Sequence, residues 1–184
     1  MRRWPINQAC RAVQAGGIIA YPTEAIYGLG CDPENMDAVL DLCDLKQRPI
    51  DKGLILIASQ LSQLEPYIAP TTTQLRKATA TWPGPFTWIL PASEFAPPWI
   101  TGSHTGIAVR VTAHPLAAAL CDRLGHALVS TSANISNRPP ARSAFQVRRI
   151  FDQQLDFILH GPTGKLAKPT RIQDAHTNKP LRNA

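Results

Sequence analysis

The length, composition and charge of the chain exclude several classes of protein. Its 184 residues, 44% of them hydrophobic, are enough for one globular domain, and no apolar run approaches the ~20 residues that span a bilayer. Four cysteines without a C-x-x-C pair and five histidines without metal-binding spacing argue against a disulfide framework or zinc site, while the net charge of +6 favours polyanionic partners.

The ends of the chain carry no targeting or linker pattern. Two positive charges near the N-terminus have no apolar segment after them, so we expect no secretory signal and a cytoplasmic location. Residues 1–184 are predicted to form a single domain, because neither a repeat nor a linker interrupts the pattern.

A first helix and strand lead into a glycine-containing segment. The helix is predicted over residues 6–15, and the strand from Ile18 to Tyr21 is stopped by Pro22. Residues 22–32, P-T-E-A-I-Y-G-L-G-C-D, are predicted to form a turn that leads into a helix, the place where α/β proteins bind ligands. The glycines do not form G-x-G-x-x-G, and G-P-T-G-K at residues 161–165 is not a P-loop. A nucleotide site would therefore need other groups.

The second helix ends at a cluster of positive charges. It is predicted to begin near Asn35 and to end close to Lys46, because Pro49 biases the preceding residue away from the α region. A buried strand is predicted over residues 54–57. Between helix and strand lies the cationic turn, residues 46–52, which contains Lys46, Arg48 and Lys52.

The cationic turn has two interpretations. A turn with this composition can direct ammonium groups and a guanidinium at one polyanion. Taken alone, such charges are more often a solvated basic loop. The rest of the chain decides between the two.

An arginine interrupts the next apolar strand. Residues 97–102 are predicted to be a loop, and Gly106 to Val111 a strand. Arg110 lies within that strand, so it must either pair with a buried acid or point at a ligand. We favour the ligand, because buried charges concentrate at functional sites.

A run of short polar side chains follows the strand at residues 127–130. Residues 130–137, S-T-S-A-N-I-S-N, could satisfy their own backbone in Asx and ST turns. They could equally form a neutral donor cluster for phosphate or carboxylate oxygens. Further helices are predicted at 114–124 and 143–150 and a last strand at 155–159, so the alternation predicts an α/β fold with a twisted mixed sheet.

Five stretches, in order along the chain, together carry a family resemblance. They are Y-P-T-E-A-I-Y-G-L-G (21–30), K-Q-R-P-I-D-K-G (46–53), W-P-G-P-F-T (82–87), A-V-R-V (108–111) and S-T-S-A-N-I-S (130–136). In these the chain resembles the YrdC-type threonylcarbamoyl-AMP synthases in their short bacterial form. The match is collinear over about residues 15–140 and continues more weakly to the end.

The resemblance implies a fold and a reaction. The fold would be a YrdC-like open twisted mixed sheet flanked by helices, with a large concave basic face and no additional C-terminal domain. The enzyme, a nucleotidyltransferase, would join L-threonine, bicarbonate and ATP, with Mg²⁺ carried by the ATP, into threonylcarbamoyl-AMP and pyrophosphate. The product would go to downstream threonylcarbamoyl-transferase proteins that modify adenosine 37 of tRNA, and tRNA itself is a further candidate partner.

The resemblance also implies roles for residues. Lys46 and Arg48 match the family's K-x-R motif and are the implied catalytic residues; Ser132 and Asn134 match its S-x-N motif. The implied ATP-binding residues are Lys46, Arg48, Lys52, Ser132, Asn134 and Arg182. The implied threonine-binding residues are Thr23, Arg110, Ser130 and Thr170.

The chain departs from the family pattern at several positions. Asn137 stands where the family usually has glycine, and the turn is expected to survive because asparagine tolerates the left-handed region. Thr112 replaces a usual proline. P-T-R-I-Q-D at residues 169–174 stands where many relatives have P-S-T-x-x-D.

Two other classes compete with the enzyme. One is a protein that docks double-stranded RNA on a basic concavity without turnover; few aromatic residues are interleaved with the cations, which argues against single-strand stacking. The other is a carbamoyl-transfer domain related to hydrogenase maturation factors, against which the absence of cysteine-rich zinc modules argues.

Overall fold

Six α-helices and nine strands lie along residues 3–182, the part of the chain that the computed structural model describes. The helices are α1 (Arg3–Gln14), α2 (Met36–Leu45), α3 (Thr72–Thr79), α4 (Pro98–Thr101), α5 (Pro115–Leu124) and α6 (Ala144–Phe151). The strands are β1 (Ile19–Pro22), β2 (Tyr27–Gly30), β3 (Ile55–Ala58), β4 (Phe86–Pro91), β5 (Gly106–Val111), β6 (Leu128–Ser132), β7 (Phe157–Ile158), β8 (Arg171–Asp174) and β9 (Pro180–Arg182).

The strands form one mixed sheet in the order β7-β1-β2-β6-β3-β5-β4-β8-β9. The pairs β1–β7, β3–β5 and β4–β8 are parallel, and the other neighbours are antiparallel. The predicted α/β fold with a mixed sheet is therefore confirmed.

Local sequence signals end the helices where they were predicted to end. Asn35 caps α2, its side chain accepting the N–H of Ala38, and the helix ends one residue before Lys46. Gly125 closes α5 in the left-handed conformation, with φ of 84°. Both signals act on the backbone within a few residues, which is why the sequence reveals them.

Successive side chains of a strand point to opposite faces of the sheet, and helices pack on both faces. In β3, Ile57 packs in an apolar cluster with α1 and α5, whereas Leu56 and Ala58 pack in the cluster that contains residues of α2, α3, α4 and α6. Each face is thus covered by different helices. None of the helices within residues 3–182 has the length and apolar character needed to cross a membrane.

Three sequence predictions about elements are wrong. Residues 22–32 do not lead from a turn into a helix; they complete the β1–β2 hairpin, with Gly28 and Gly30 inside β2. Residues 97–102 contain the short helix α4, whose Ile100 is buried. The C-terminal segment, predicted to contain no element, forms the hairpin β8–β9.

Candidate functional site

A cavity of about 800 Å³ lies on the sheet face that carries α1 and α5. Ile55 is two residues before Ile57 and therefore on the same face of β3. It packs against the cluster of α1 and α5 that contains Ile57, and it also lines the cavity. Ile55 pairs with Ala108 on β5 and with Ser130 on β6, and both also line the cavity. The three central strands thus form its floor.

The cavity brings together predicted site residues from six separate segments of the chain. Eight of the ten predicted residues line it: Thr23, Arg48, Lys52, Arg110, Ser130, Ser132, Thr170 and Arg182. The other two, Lys46 and Asn134, lie behind its surface.

The cationic turn forms one wall of the cavity. Arg48 donates from Nη2 to the carbonyl oxygens of Lys52 (3.3 Å) and Gly53 (2.8 Å). Its Nε is buried without a hydrogen-bond partner. Within the described residues no carboxylate lies within 4 Å of Arg48 or Lys52, so the positive charge of this wall is not neutralised by an ion pair.

Lys46 connects the cationic turn to the turn after β6. Its side chain is buried, with 2% exposure, and the ammonium group donates to the backbone carbonyls of Ser132 and Asn134, the latter at 2.7 Å. The N–H of Ser136 donates in return to the Lys46 carbonyl (2.9 Å). Burial, and secondly the charge of Arg48, lower the pKa of Lys46 to about 8. Lys46 thus holds the turn in this structure instead of facing the cavity.

The turn after β6 uses part of its polar cluster for its own backbone. Asn134 donates from Nδ2 to the carbonyls of Ile135 and Arg138, both at 2.8 Å, and its Oδ1 is buried without a partner. Asn137 has a φ of 64°, as expected where the family usually has glycine. The Asn134 amide thus satisfies the backbone of its own turn, whereas Ser130 and Ser132 line the cavity, and their role as donors to a ligand stays a prediction.

A second wall of the cavity contains Arg110 and Thr170. Glu24 and Thr87, which do not line the cavity, contact Arg110 from behind, and we call these four residues the arginine socket. Arg110 is 4% exposed and donates from Nη1 to the hydroxyls of Thr87 (3.1 Å) and Thr170 (2.8 Å). Its Nη2 lies 3.5 Å from Oε2 of Glu24, and its Nε has no hydrogen-bond partner. The sequence predicted a ligand, and not a buried acid, as the partner of Arg110. In the structure Arg110 pairs with an acid and also lines the cavity, so this prediction was incomplete.

Glu24 is the site residue that the sequence analysis missed. Its Oε1 accepts the hydroxyl of Thr112 (2.6 Å) and the N–H of Ala113 (3.3 Å). Burial by itself would raise the pKa of this carboxyl, but Arg110 and the Thr112 hydroxyl hold it below its ordinary value. The available signal was its position in the P-T-E part of the first motif, next to Thr23.

Thr23 and the C-terminal hairpin complete the arginine side of the cavity. The Thr23 hydroxyl donates to the carbonyl of Ile26 (2.8 Å) and so closes the β1–β2 turn. Arg182 on β9 donates from Nε to the Thr170 carbonyl (2.9 Å) and from Nη2 to its hydroxyl (3.4 Å). Burial, and secondly the charge of Arg110, lower the pKa of Arg182. Thr170 therefore connects two arginines that line one cavity.

Known proteins are similar to this chain in sequence and in fold. The Sua5/YciO/YrdC family model, described as "Telomere recombination", matches residues 11–184. A threonylcarbamoyl-AMP synthase of Nitrosococcus oceani is 53% identical over 180 residues, 97% of each chain.

Two solved structures extend the similarity to the fold. That of P. abyssi Sua5 complexed with L-threonine superposes with a TM-score of 0.89 at 32% identity, over 95% of this chain and 52% of that one. That of E. coli YciO superposes with a TM-score of 0.85 at 30% identity, over 98% and 88%. The chain thus spans about half the length of the Sua5 relative and most of YciO.

Proposed function

The chain belongs to the Sua5/YciO/YrdC family, and from this premise we propose that it is a threonylcarbamoyl-AMP synthase. It joins L-threonine, bicarbonate and ATP into threonylcarbamoyl-AMP and pyrophosphate, for the modification of adenosine 37 in tRNA. The observation that carries the proposal is that one cavity is lined both by cations without a counter-ion and by an arginine paired with an acid. The names of the relatives do not favour an RNA-binding protein without turnover.

The chemistry needs two steps. The threonine amine attacks the carbon of CO₂ and releases a proton, or attacks the carbon of bicarbonate and releases water that contains the amine proton; either route gives a carbamate. A carbamate oxygen then attacks the α-phosphorus of ATP, and the bond from that phosphorus to the bridging oxygen breaks as pyrophosphate leaves. No covalent intermediate with the protein is required, so positioning and charge stabilisation provide the catalysis.

The cationic wall is suited to the triphosphate. Arg48 and Lys52 present positive charge without a neighbouring carboxylate, and Arg48 would offset the charge that develops on the α-phosphate and the departing pyrophosphate. Lys46 and Asn134 would support the phosphates through the turn that they stabilise, and Ser132 would contact them from its hydroxyl. Lys46 would reach a phosphate directly by exchanging its carbonyl partners for phosphate oxygens.

The arginine socket is suited to an amino acid. The Nε of Arg110 is a buried donor without a partner, and a threonine carboxylate would satisfy it. Thr23, Ser130 and Thr170 add hydroxyls on the same side of the cavity. Arg182 lies on this side as well, so its role as an ATP ligand would require the nucleotide to extend across the floor.

Magnesium enters as part of the ATP substrate. Asp174 on β8 lines the cavity, but the described residues hold no group of three acidic, histidine or cysteine side chains that could bind a metal ion. The phosphates and water would therefore supply most of its ligands.

Other expectations stay predictions. They are the cytoplasmic location, transfer of the product to partner proteins, direct binding of tRNA and a single domain over residues 1–184. The continuous sheet from β7 to β9 supports the single domain.

The test is pyrophosphate release from ATP with labelled bicarbonate and L-threonine. We expect release to require both co-substrates and the label to appear in an adenylate. Arg76→Ala, which changes an exposed arginine of α3 outside the cavity, is the control variant and should retain full activity. Pyrophosphate release that does not depend on threonine would reject the function.

A further inference from the structure

The proposed function requires two anions to bind in one cavity at different arginines. Arg48 must bind the phosphates of ATP, and Arg110 the carboxylate of threonine. Both guanidinium groups line the cavity and both have an Nε without a partner. Donor geometry alone therefore does not decide which anion goes to which arginine.

We propose that Glu24 is a specificity-determining residue, which makes Arg110 select a singly charged carboxylate over a doubly charged phosphate. The proposal rests on the proposed function for the identity of the two ligands. Arg110–Glu24 is the ion pair that the structure shows within residues 3–182, whereas Arg48 has none. The arginines thus differ in their counter-charge.

Electrostatics gives the direction of the selection. An arginine without a counter-ion attracts a dianion about twice as strongly as a monoanion. A guanidinium that is paired with a carboxylate attracts the monoanion and the dianion only weakly. Because the dianion loses much more hydration free energy on binding, the paired arginine then prefers the monoanion. A carboxylate can still replace lost water by bidentate hydrogen bonds to the guanidinium.

Glu24 acts from behind Arg110 and not from the cavity. It is 7% exposed and does not line the large cavity. It lines instead a smaller cavity of about 210 Å³, together with His114 and Lys165. Burial lowers the pKa of His114, which favours its neutral form, and Lys165 is exposed to solvent. Arg110 is therefore the group through which the charge of Glu24 reaches a ligand.

The protein holds Glu24 in place from two sides. Thr112 and Ala113 donate to Oε1, so Oε2 is left for Arg110. Residues 161–166, which we call the strap, lie against the backbone of Thr23 and Glu24. The N–H of Gly164 donates to the Thr23 carbonyl (2.9 Å), and the N–H of Leu166 donates to the Glu24 carbonyl (3.3 Å). A Cβ at Gly164 would overlap the backbone of Glu24. The carboxylate is thus built into the site.

The experiment compares two small anions, acetate and sulfate, as competitors of L-threonine in calorimetry without ATP at constant ionic strength. In the unmodified protein we expect acetate to compete and sulfate not to. In Glu24→Gln the ratio of sulfate affinity to acetate affinity should increase at least about tenfold. Glu24→Asp should restore the original preference in part.

Two variants serve as controls. Thr112→Val keeps the charge of Glu24 but removes its hydrogen bond, so it should leave the anion preference within about twofold. Glu94→Gln removes an exposed acid and should change nothing. If Glu24 had a purely structural role, Glu24→Gln would lower the affinities for acetate and sulfate equally and would also lower the melting temperature. That result would overturn the proposal.

An NMR signal from Arg110 tests this proposal separately from the proposed function. The Nε–H resonance of Arg110 is assigned by its loss in Arg110→Lys. It reports the binding of acetate and sulfate even if the protein does not bind threonine. Absence of threonine binding in the unmodified protein would reject the threonine site alone. If sulfate shifts this resonance at lower concentration than acetate in the unmodified protein, the selection by Glu24 is wrong, whether or not Glu24→Gln folds.

Discussion

The two walls of the cavity hold their positive charges in different ways. In the cationic turn, backbone carbonyls accept from Arg48 and Lys46. In the arginine socket, two hydroxyls and a carboxylate hold Arg110. Carbonyls orient a cation while leaving its net charge in place, whereas a carboxylate neutralises it. The first arrangement suits a polyanion and the second a single carboxylate.

The largest effect is expected from the cation that faces the cavity without a counter-ion. Arg48→Ala should lower the threonine-dependent rate of pyrophosphate release at least ~100-fold, because a preorganised contact to the developing charge is lost. The half-buried side chain forms hydrogen bonds only within its own turn, so the melting temperature should change little. Arg76→Ala is the matched control, and equal rates in the two variants would show that the cationic turn is not the phosphate site.

Lys46 should combine a loss of stability with a loss of ATP affinity. Lys46→Met removes the ammonium donor from the half-buried carbonyls of Ser132 and Asn134. The Ser132 carbonyl keeps the N–H of Asn134 as a donor, so the loss in the free energy of unfolding should be about 1–3 kcal/mol, from the Asn134 carbonyl. Urea denaturation measures this loss, and calorimetry measures ATP binding. Weaker ATP binding at unchanged stability would instead indicate direct contact of Lys46 with phosphate.

The pH dependence should separate the two roles of Lys46. Its pKa is lowered from 10.5 to about 8, so between these values the unfolded chain binds more protons than the folded chain. The contribution of Lys46 to the free energy of unfolding therefore increases with pH across that window. ATP affinity should decrease over the same range as the ammonium loses its charge.

Lys46→Arg provides the comparison, because a guanidinium stays charged throughout this range. Its ATP affinity, measured by calorimetry from pH 7 to 9.5, should not show the decrease. A parallel decrease in the variant would assign the titration to another group.

The smallest effect is expected in the arginine socket. Thr170→Val removes the hydroxyl that accepts from Arg110 and Arg182. Losing one such bond at a charged group should raise the KM for threonine about 5- to 30-fold, which corresponds to roughly 1–2 kcal/mol. The KM for ATP should stay constant. Thr73→Val, on the exposed side of α3, is the control; a change in the KM for ATP alone would place Thr170 in the nucleotide site.

The hairpin β1–β2 illustrates a limit of sequence reasoning about the fold. Glycines normally weaken a strand, so Gly28 and Gly30 indicated a turn. In the structure a Cβ at Gly30 would overlap the carbonyl oxygen of Val129 on β6. Glycine is needed there because a distant strand approaches closely, and the local pattern contains no sign of that approach.

The short elements were missed for a similar reason. The four residues of α4 and the three of β9 are too short for a periodic pattern, and β8, R-I-Q-D, contains a single apolar residue. β8 exists because β4 offers it a parallel edge, with Phe86 opposite Arg171 and Ile89 opposite Asp174. That edge is a property of the folded sheet.

The sequence by itself determined the alternation of helices and strands, the ends of α2 and α5, and the identity of the two groups of polar residues at the site. Proline, asparagine and glycine act on the backbone within a few residues, and motifs consist of neighbours in the chain, so both can be recognised without a structure. Only the tertiary structure decided that Glu24 pairs with Arg110, that Lys46 turns to the carbonyls after β6, and that both groups face one cavity. Each of these depends on segments that meet only when the sheet has formed, because a charge buried by folding takes its partner from whichever strand or turn lies next to it.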